Sequence, residues 1–201
     1  MIGFYFSKIL RKICGLPTIA HSKIDRTSRI GNFSSITNCT IGKYSYTGEY
    51  TVLSQVDCGD FVSISRNCII GGGEHPVDWV STSPVFNEHK SILRKRFSRN
   101  SYNPYKKTKI GNDVWIGACC SIKSGVKISD GAIIGMGSIV TKDIGPYEIW
   151  AGNPARFIKK RFDDDTIEQI MNTEWWKMPE EEIIAHADAF NDVQKFLEEM
   201  Q

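Results

Sequence analysis

The chain has 201 residues, 41% of them apolar, with 25 Lys and Arg against 23 Asp and Glu. That length suits one domain with at most an appendage, and that apolar share excludes an intrinsically disordered chain. No run approaches the roughly 18 consecutive apolar residues of a membrane-spanning helix, and a net charge of +2 excludes a uniformly basic nucleic-acid binder.

Residues 1–17 form an amphipathic segment, with Ile2, Tyr5, Phe6, Ile9, Leu10 and Ile13 on one helical face and Lys8, Arg11 and Lys12 opposite. The basic residues also interrupt any signal-peptide core. Such a segment either caps the open end of the domain behind it or lies on an anionic membrane surface. Capping is the simpler reading.

From Ile24 a six-residue repeat takes over: IDRTSR, IGNFSS, ITNCT, IGKYSY, TGEYT, VLSQVD, CGDFVS and ISRNCI. After a break come IGNDVW, IGACCS, IKSGVK, ISDGAI, IGMGSI and VTKDI. Twelve of these 14 units open on Ile or Val, Val52 among them, and the fifth position is small or β-branched, as at Ser28, Thr40, Val62, Cys68 and Ser138. Gly follows the lead residue in seven units. The 3.6-residue period of a helix is missing. The spacing predicts a solenoid of short strands, lead and fifth residues inward, with glycine easing the corners. Three units close one triangular coil, so 14 predict four to five coils. Six cysteines without CxxC spacing predict reduced thiols and a cytosolic protein.

The repeat breaks at Gly71 and resumes at Thr108, leaving an inserted loop, 71–108, that solenoid stability does not require. It opens GGGEHPVDWVST. Gly71–Gly73 let the chain leave the coil sharply, and His75 is a candidate general base, because an imidazole of pKa about 6.5 can take a hydroxyl proton near neutrality. Glu74, Asp78 and backbone carbonyls are all open as the group that orients its second nitrogen. His89 reads as structural or close to substrate; His21 and His186 read as surface residues. Two loop histidines without a third partner make a poor zinc site, so no metal is expected. Trp79 and, earlier, Tyr44 and Tyr46 are aromatic candidates for stacking on an acceptor. Residues 90–109 hold eight Lys and Arg and no acid, a loop either solvated or turned to a phosphate-bearing ligand. Nothing else offers a groove-reading element, so no nucleic-acid partner is expected.

Late in the chain Gly117, Ala118, Gly135 and Ser138 are small enough to leave a groove for a thin ligand arm. Lys142, Arg156, Lys159 and Lys160 offer charge to phosphates, and Pro154 and Ala155 an apolar surface. Past Phe162 the pattern turns helical, with acidic starts at Asp163–Asp165 and Pro179–Glu182 and apolar faces from Trp175, Trp176, Ile184, Phe190, Phe196 and Leu197. The balanced charge therefore has two opposed parts: residues 1–161 carry +12 and residues 162–201 carry −10.

Together, the repeats, the EHPVDWVSTSP loop and the VTKD and AGNPAR end resemble the hexapeptide-repeat acetyltransferases over about residues 24–162. The loop looks like that of the xenobiotic acetyltransferase group, which includes chloramphenicol, streptogramin and many sugar O-acetyltransferases. The resemblance implies a left-handed parallel β-helix over 18–161 with the inserted loop 71–108, and a C-terminal helical extension over 162–201. It implies acetyl-CoA as co-substrate, no metal, and His75 as the base in direct acetyl transfer, with backbone N–H groups holding the oxyanion. The acceptor it implies is a hydroxyl of a sugar or glycan precursor, with an antibiotic hydroxyl as the alternative. Trp115, in VWIG, would wall the donor pocket, joined by the groove, basic and Pro-Ala residues above. A homotrimer with sites between neighbouring β-helices follows from the same family, in the cytoplasm or at the inner membrane face. A non-catalytic hexapeptide scaffold is the rival from another class.

Overall fold

A computed structural model describes residues 9, 13–89 and 93–200. Most of the amphipathic N-terminal segment lies outside these residues. Short strands, most of two or three residues, stack into three parallel faces of a β-helix. The first face holds six strands from Thr18–Ala20 to Ile139–Val140, and the second holds five from Lys23–Ile24 to Lys127–Ile128. The third has seven, from Arg29–Ile30 to an antiparallel hairpin of Glu148–Gly152 and Ala155–Lys160. The stack begins at Thr18, ahead of the first repeat read from sequence, and so exceeds the expected four to five coils.

The register corrects two readings. Strands stacked on the first face are offset by 17 residues in the early coils, as in Ser35↔Val52 and Val52↔Ile69, and by 18 in Ser121↔Ile139. An early coil therefore has one edge of five residues. In the coil from Val52 that edge starts at Leu53, which is fully buried, while Val52 faces outward at 38% exposure. In the edge from Ile36, Cys39 is the buried small residue and Thr40 is exposed. With one residue fewer to turn the corner, the inward residue moves from fifth to fourth position.

Glycine has a second job beside the one expected. Gly125, Gly131 and Gly137 turn late corners in the left-handed region, but the earlier corners are turned there by non-glycine residues, among them Phe33, Tyr44, Tyr50, Phe61, Asp113 and Cys119. Ring stacking from coil to coil offsets the strain this places on L-residues: Phe33 lies on Tyr50 at 4.8 Å and Tyr44 on Phe61 at 5.1 Å. The glycines after the lead residues instead allow coils to approach. A Cβ on Gly48 would sit 2.5 Å from the Arg66 backbone nitrogen. Gly48→Ala is therefore expected to cost about 1–3 kcal/mol by forcing two coils apart. Gly137→Ala meets open space at φ +72° and should cost only the backbone term, about 1 kcal/mol. Urea unfolding of both variants checks this, and a larger loss at Gly137 would refute it.

The interior combines aliphatic rows, such as Ile36, Leu53, Ile70 and Ile122, with small polar residues that satisfy the buried corners. Ser28 Oγ donates to Gly42 O at 2.6 Å and accepts the Ser45 N–H at 2.8 Å; Ser45 repeats the pattern with Gly59 O and Val62 N. A wholly aliphatic fifth position would orphan these backbone groups. Six cysteines are free thiols, four of them buried. Burial pushes the Cys58 thiol up, and the hydrogen bond to Cys120 together with burial pushes Cys68 up, so both act as packing groups.

The extension holds α1 (Asp164–Thr173), α2 (Glu180–Ala185) and α3 (Val193–Glu199). Asp163 caps α1 by accepting the Thr166 N–H at 2.8 Å. Trp175, Trp176, Phe196 and Leu197 build a second core that reaches Tyr147 of the β-helix; Ile184 and Phe190, expected on its apolar faces, are exposed. No helix among the described residues is long and apolar enough to cross a membrane.

Candidate active site

The inserted chain leaves the β-helix after Ile69–Gly71 and returns at Thr108–Ile110. Its base is tied by Glu74 N–H to Pro104 O at 2.7 Å, and its outer part by a parallel bridge between Asn87 and Asn100 and by the Phe86–Phe97 contact at 5.6 Å. Ser83 caps a short 3₁₀ turn, Pro84–Phe86. The loop thus has its own internal bonds and can present a side chain in one place.

That side chain is His75. Its Nδ1 lies 2.7 Å from Thr82 O. A carbonyl oxygen only accepts, so Nδ1 carries the hydrogen, and in the neutral ring Nε2 keeps its lone pair. The ring is exposed and helps line an open hollow of about 590 Å³ with Glu74, Asp78, Tyr102, Lys106 and Lys123. Of the three orienting groups left open by the sequence, the backbone carbonyl is the one in contact.

Glu74 is occupied elsewhere. Lys106 Nζ lies 2.9 Å from one of its oxygens and Lys123 Nζ 3.3 Å from the other. The Lys106 hydrogen bond and then Lys123 hold the Glu74 carboxyl below its usual range against the opposing effect of burial. A lowered carboxyl pKa stabilises the fold above the unfolded value and is lost as pH falls through the folded one, so this anchor is intact at neutrality and fails in acid.

The acceptor candidates separate. Trp79 meets Tyr102 edge-on at 5.8 Å and lines a second hollow, also about 590 Å³, with Val80, Ser81 and Phe86; Asp78 borders both hollows. Tyr44 is engaged by the extension, its OH donating to Glu180 Oε2 at 2.6 Å. Tyr46 is exposed on the third face. There it stands in a row in register from Arg29 through Ser63, Trp115, Ile133 and Ile149 to Lys159, which places Trp115, at 52% exposure, and Lys159 on one surface.

Of the remaining donor candidates, Lys142, Pro154 and Arg156 are exposed and Ala118 is half-buried. Gly135 is half-buried too, and three others lack the free surface expected of them. Gly117 is buried, with the Met136 backbone 2.6 Å from where a Cβ would stand. Ser138 is fully buried, donating to Gly135 O and accepting from Gly152 N–H. Ala155 is packed into the β-helix core. These residues shape the last coils from inside. Arg161, the last residue before the extension, pairs with Asp113 at 3.1 Å over the Tyr147 ring. His89 is half-buried, its backbone N–H on Asn87 Oδ1, and His186 pairs with Glu199 at 2.8 Å.

Sequence reasoning missed Thr82, Tyr102 and Lys123. The first acts through its backbone and carries no residue signature. Lys123 sits on a coil corner where lysine is ordinarily solvated, and only the acid beside His75 hints that a cation must meet it.

A solenoid of parallel coils interrupted by one histidine-bearing loop defines a hexapeptide-type acyltransferase. A family model for the bacterial transferase hexapeptide (six repeats) matches residues 107–142. A chloramphenicol acetyltransferase of Agrobacterium fabrum is 40% identical over 167 residues, covering 74% of this chain and 79% of its own. A galactoside O-acetyltransferase of Escherichia coli is 38% identical over 136 residues, covering 66% and 59%. The fold is shared with a hexapeptide-repeat acetyltransferase of Vibrio cholerae solved with acetyl-coenzyme A, at a TM-score of 0.52, 19% identity and coverage of 78% and 76%. The chain belongs to the hexapeptide-repeat acetyltransferases of the xenobiotic acetyltransferase group, and is an acetyl-CoA-dependent acyltransferase.

Proposed function

We propose that the protein moves acetyl from acetyl-CoA directly to a hydroxyl of a sugar or glycan precursor, with His75 as general base. The observation that carries this is the Nδ1 contact to Thr82 O, which leaves Nε2 free in an open hollow. Acetyl-CoA supplies the activated acetyl group. Nε2 accepts the hydroxyl proton as the oxygen attacks and returns it to the departing sulfur. On the late coils Trp115, Lys142, Pro154, Arg156 and Lys159 remain exposed and fit a donor with a thin apolar arm and charged phosphates. The partners are the donor, a hydroxyl acceptor and two further copies of the chain, and the location is the cytoplasm. The trimer is supported by Val77, at 93% exposure, and by the fully exposed Val80, apolar loop residues that a neighbouring β-helix would cover. Light scattering at the mass of three chains is the expected result.

Thiol release from acetyl-CoA, followed with a panel of glycosides, chloramphenicol and a streptogramin, tests the reading. Turnover of glycosides supports it. An antibiotic hydroxyl is the second reading, favoured by the 40% identity to a protein named for chloramphenicol, and turnover of chloramphenicol alone would select it. Absence of both turnover and coenzyme A binding would favour a non-catalytic scaffold.

A further inference from the structure

Two lysines lie in the His75 hollow, and both converge on one carboxylate. Glu74, with 17% of its side chain exposed, holds Lys106 at 2.9 Å and Lys123 at 3.3 Å, whose own side chains are 55% and 54% exposed. Each ammonium has three N–H donors and gives one direction to Glu74, which leaves the rest turned to the hollow or to water. Two positive charges on one negative leave an excess of one. Asp78, the other carboxylate of the hollow, balances that excess, so what the lining offers an anion is the remaining N–H donors of the two ammoniums and not a net positive charge. Beyond Asp78 lies the apolar hollow of Trp79, Val80 and Phe86, and Tyr102 of the first hollow touches Trp79 of the second. His75, two lysines and an aromatic wall therefore line two hollows that share Asp78.

Resting on the acetyl-transfer reading above, we infer that the acceptor carries a phosphate beside the sugar that is acetylated. The sugar hydroxyl meets His75, the phosphate takes Lys106 and Lys123, and the aglycone beyond the phosphate lies on Trp79. Glu74 is a positioning residue, since it aims two cations at one place instead of touching the acceptor. A nucleoside diphosphate sugar and a prenyl phosphate sugar share this chemistry. The first would stack a base on Trp79, the second would lay an alkyl chain there.

The test compares three glycosides of one sugar, for glucose and for galactose: nucleoside diphosphate, short-chain prenyl phosphate and methyl. The wild-type protein is expected to turn over at least one phosphate-bearing acceptor with a KM about tenfold below that of the methyl glycoside. Lys123→Met should raise that KM about tenfold with kcat unchanged and leave the methyl glycoside KM alone; Lys123→Arg should largely restore it. Raising salt from 50 to 200 mM should raise KM for phosphate acceptors only. Lys127→Met, on the outer side of the second face, is the control expected to change nothing. Which phosphate acceptor loses more on Trp79→Ala tells the two sources apart. Equal KM for methyl and phosphate glycosides, or an equal effect of Lys123→Met on all three, would overturn the inference while leaving acetyl transfer standing. If chloramphenicol releases thiol and no glycoside does, the sugar reading fails and this inference falls with it.

Discussion

His75→Ala is expected to lower kcat/KM for acetyl transfer by roughly 10²–10⁴-fold while leaving coenzyme A affinity within about twofold of wild type. The split follows from the position of the ring. It stands on the inserted loop, exposed, and is held by Nδ1 against the Thr82 carbonyl, so its removal takes away a proton acceptor without disturbing a core. The donor candidates stand elsewhere, on the third face and the terminal hairpin. His75→Asn keeps a group able to donate to Thr82 O but offers no basic nitrogen at the Nε2 position, and it should be as inactive as Ala. Single-turnover thiol release with calorimetry of coenzyme A binding separates the effects. Should His75→Asn retain most of the activity, the ring would be serving only to hold the loop, and general-base catalysis would have to be abandoned.

The solenoid could be read before any coordinates because its period is written in the inward residues. Ile or Val leads recur, and a buried corner demands a small group with a hydroxyl or thiol to satisfy it. Phase was harder. One missing residue per early coil shifts the inward position, and nothing local to Val52 or Thr40 distinguishes a five-residue edge from a six-residue one; the stacking of Ser35, Val52 and Ile69 does. Gly125, Gly131 and Gly137 turn corners as expected, but the glycines after the lead residues were legible as special for the wrong reason, since a clash with the next coil is invisible within one unit. At the site, three glycines and a break in the repeat mark where the loop of His75 departs from the coil, while the role expected of the histidine came from the likeness of EHPVDWVST to the family's loop. Its orienting group was not legible, because any residue supplies a carbonyl. Ser138 and Ala155 show the limit of motif transfer. Both lie in the stretch that resembles a donor site, and both face inward, where their smallness serves packing.

The extension yields the second large expected effect. Trp175→Ala should destabilise the docking of residues 162–200 by about 3–5 kcal/mol. Trp175 is 8% exposed and joins the extension to the β-helix: it meets Phe61 of the β-helix at 4.8 Å and Phe190 of the extension at 5.0 Å, edge-on. The buried Tyr147, which meets Phe162 at 6.0 Å, is the next aromatic tie, and the others are surface contacts, the Tyr44–Glu180 hydrogen bond and the Lys160–Asp164 pair. Tyr44→Phe should therefore cost far less, about 0.5–1.5 kcal/mol. The β-helix core does not run through Trp175, so its unfolding should be untouched, and urea denaturation should resolve into two transitions where wild type gives one. Limited proteolysis should then release the segment after Phe162 from the variant and not from wild type. The opposed charges, +12 on residues 1–161 and −10 beyond, add a long-range attraction that salt screens, so the early transition should move further down at high ionic strength. A single, unshifted transition for Trp175→Ala would mean that the aromatic contact contributes little and that charge alone holds the extension; the salt series on the wild type would then carry the whole effect.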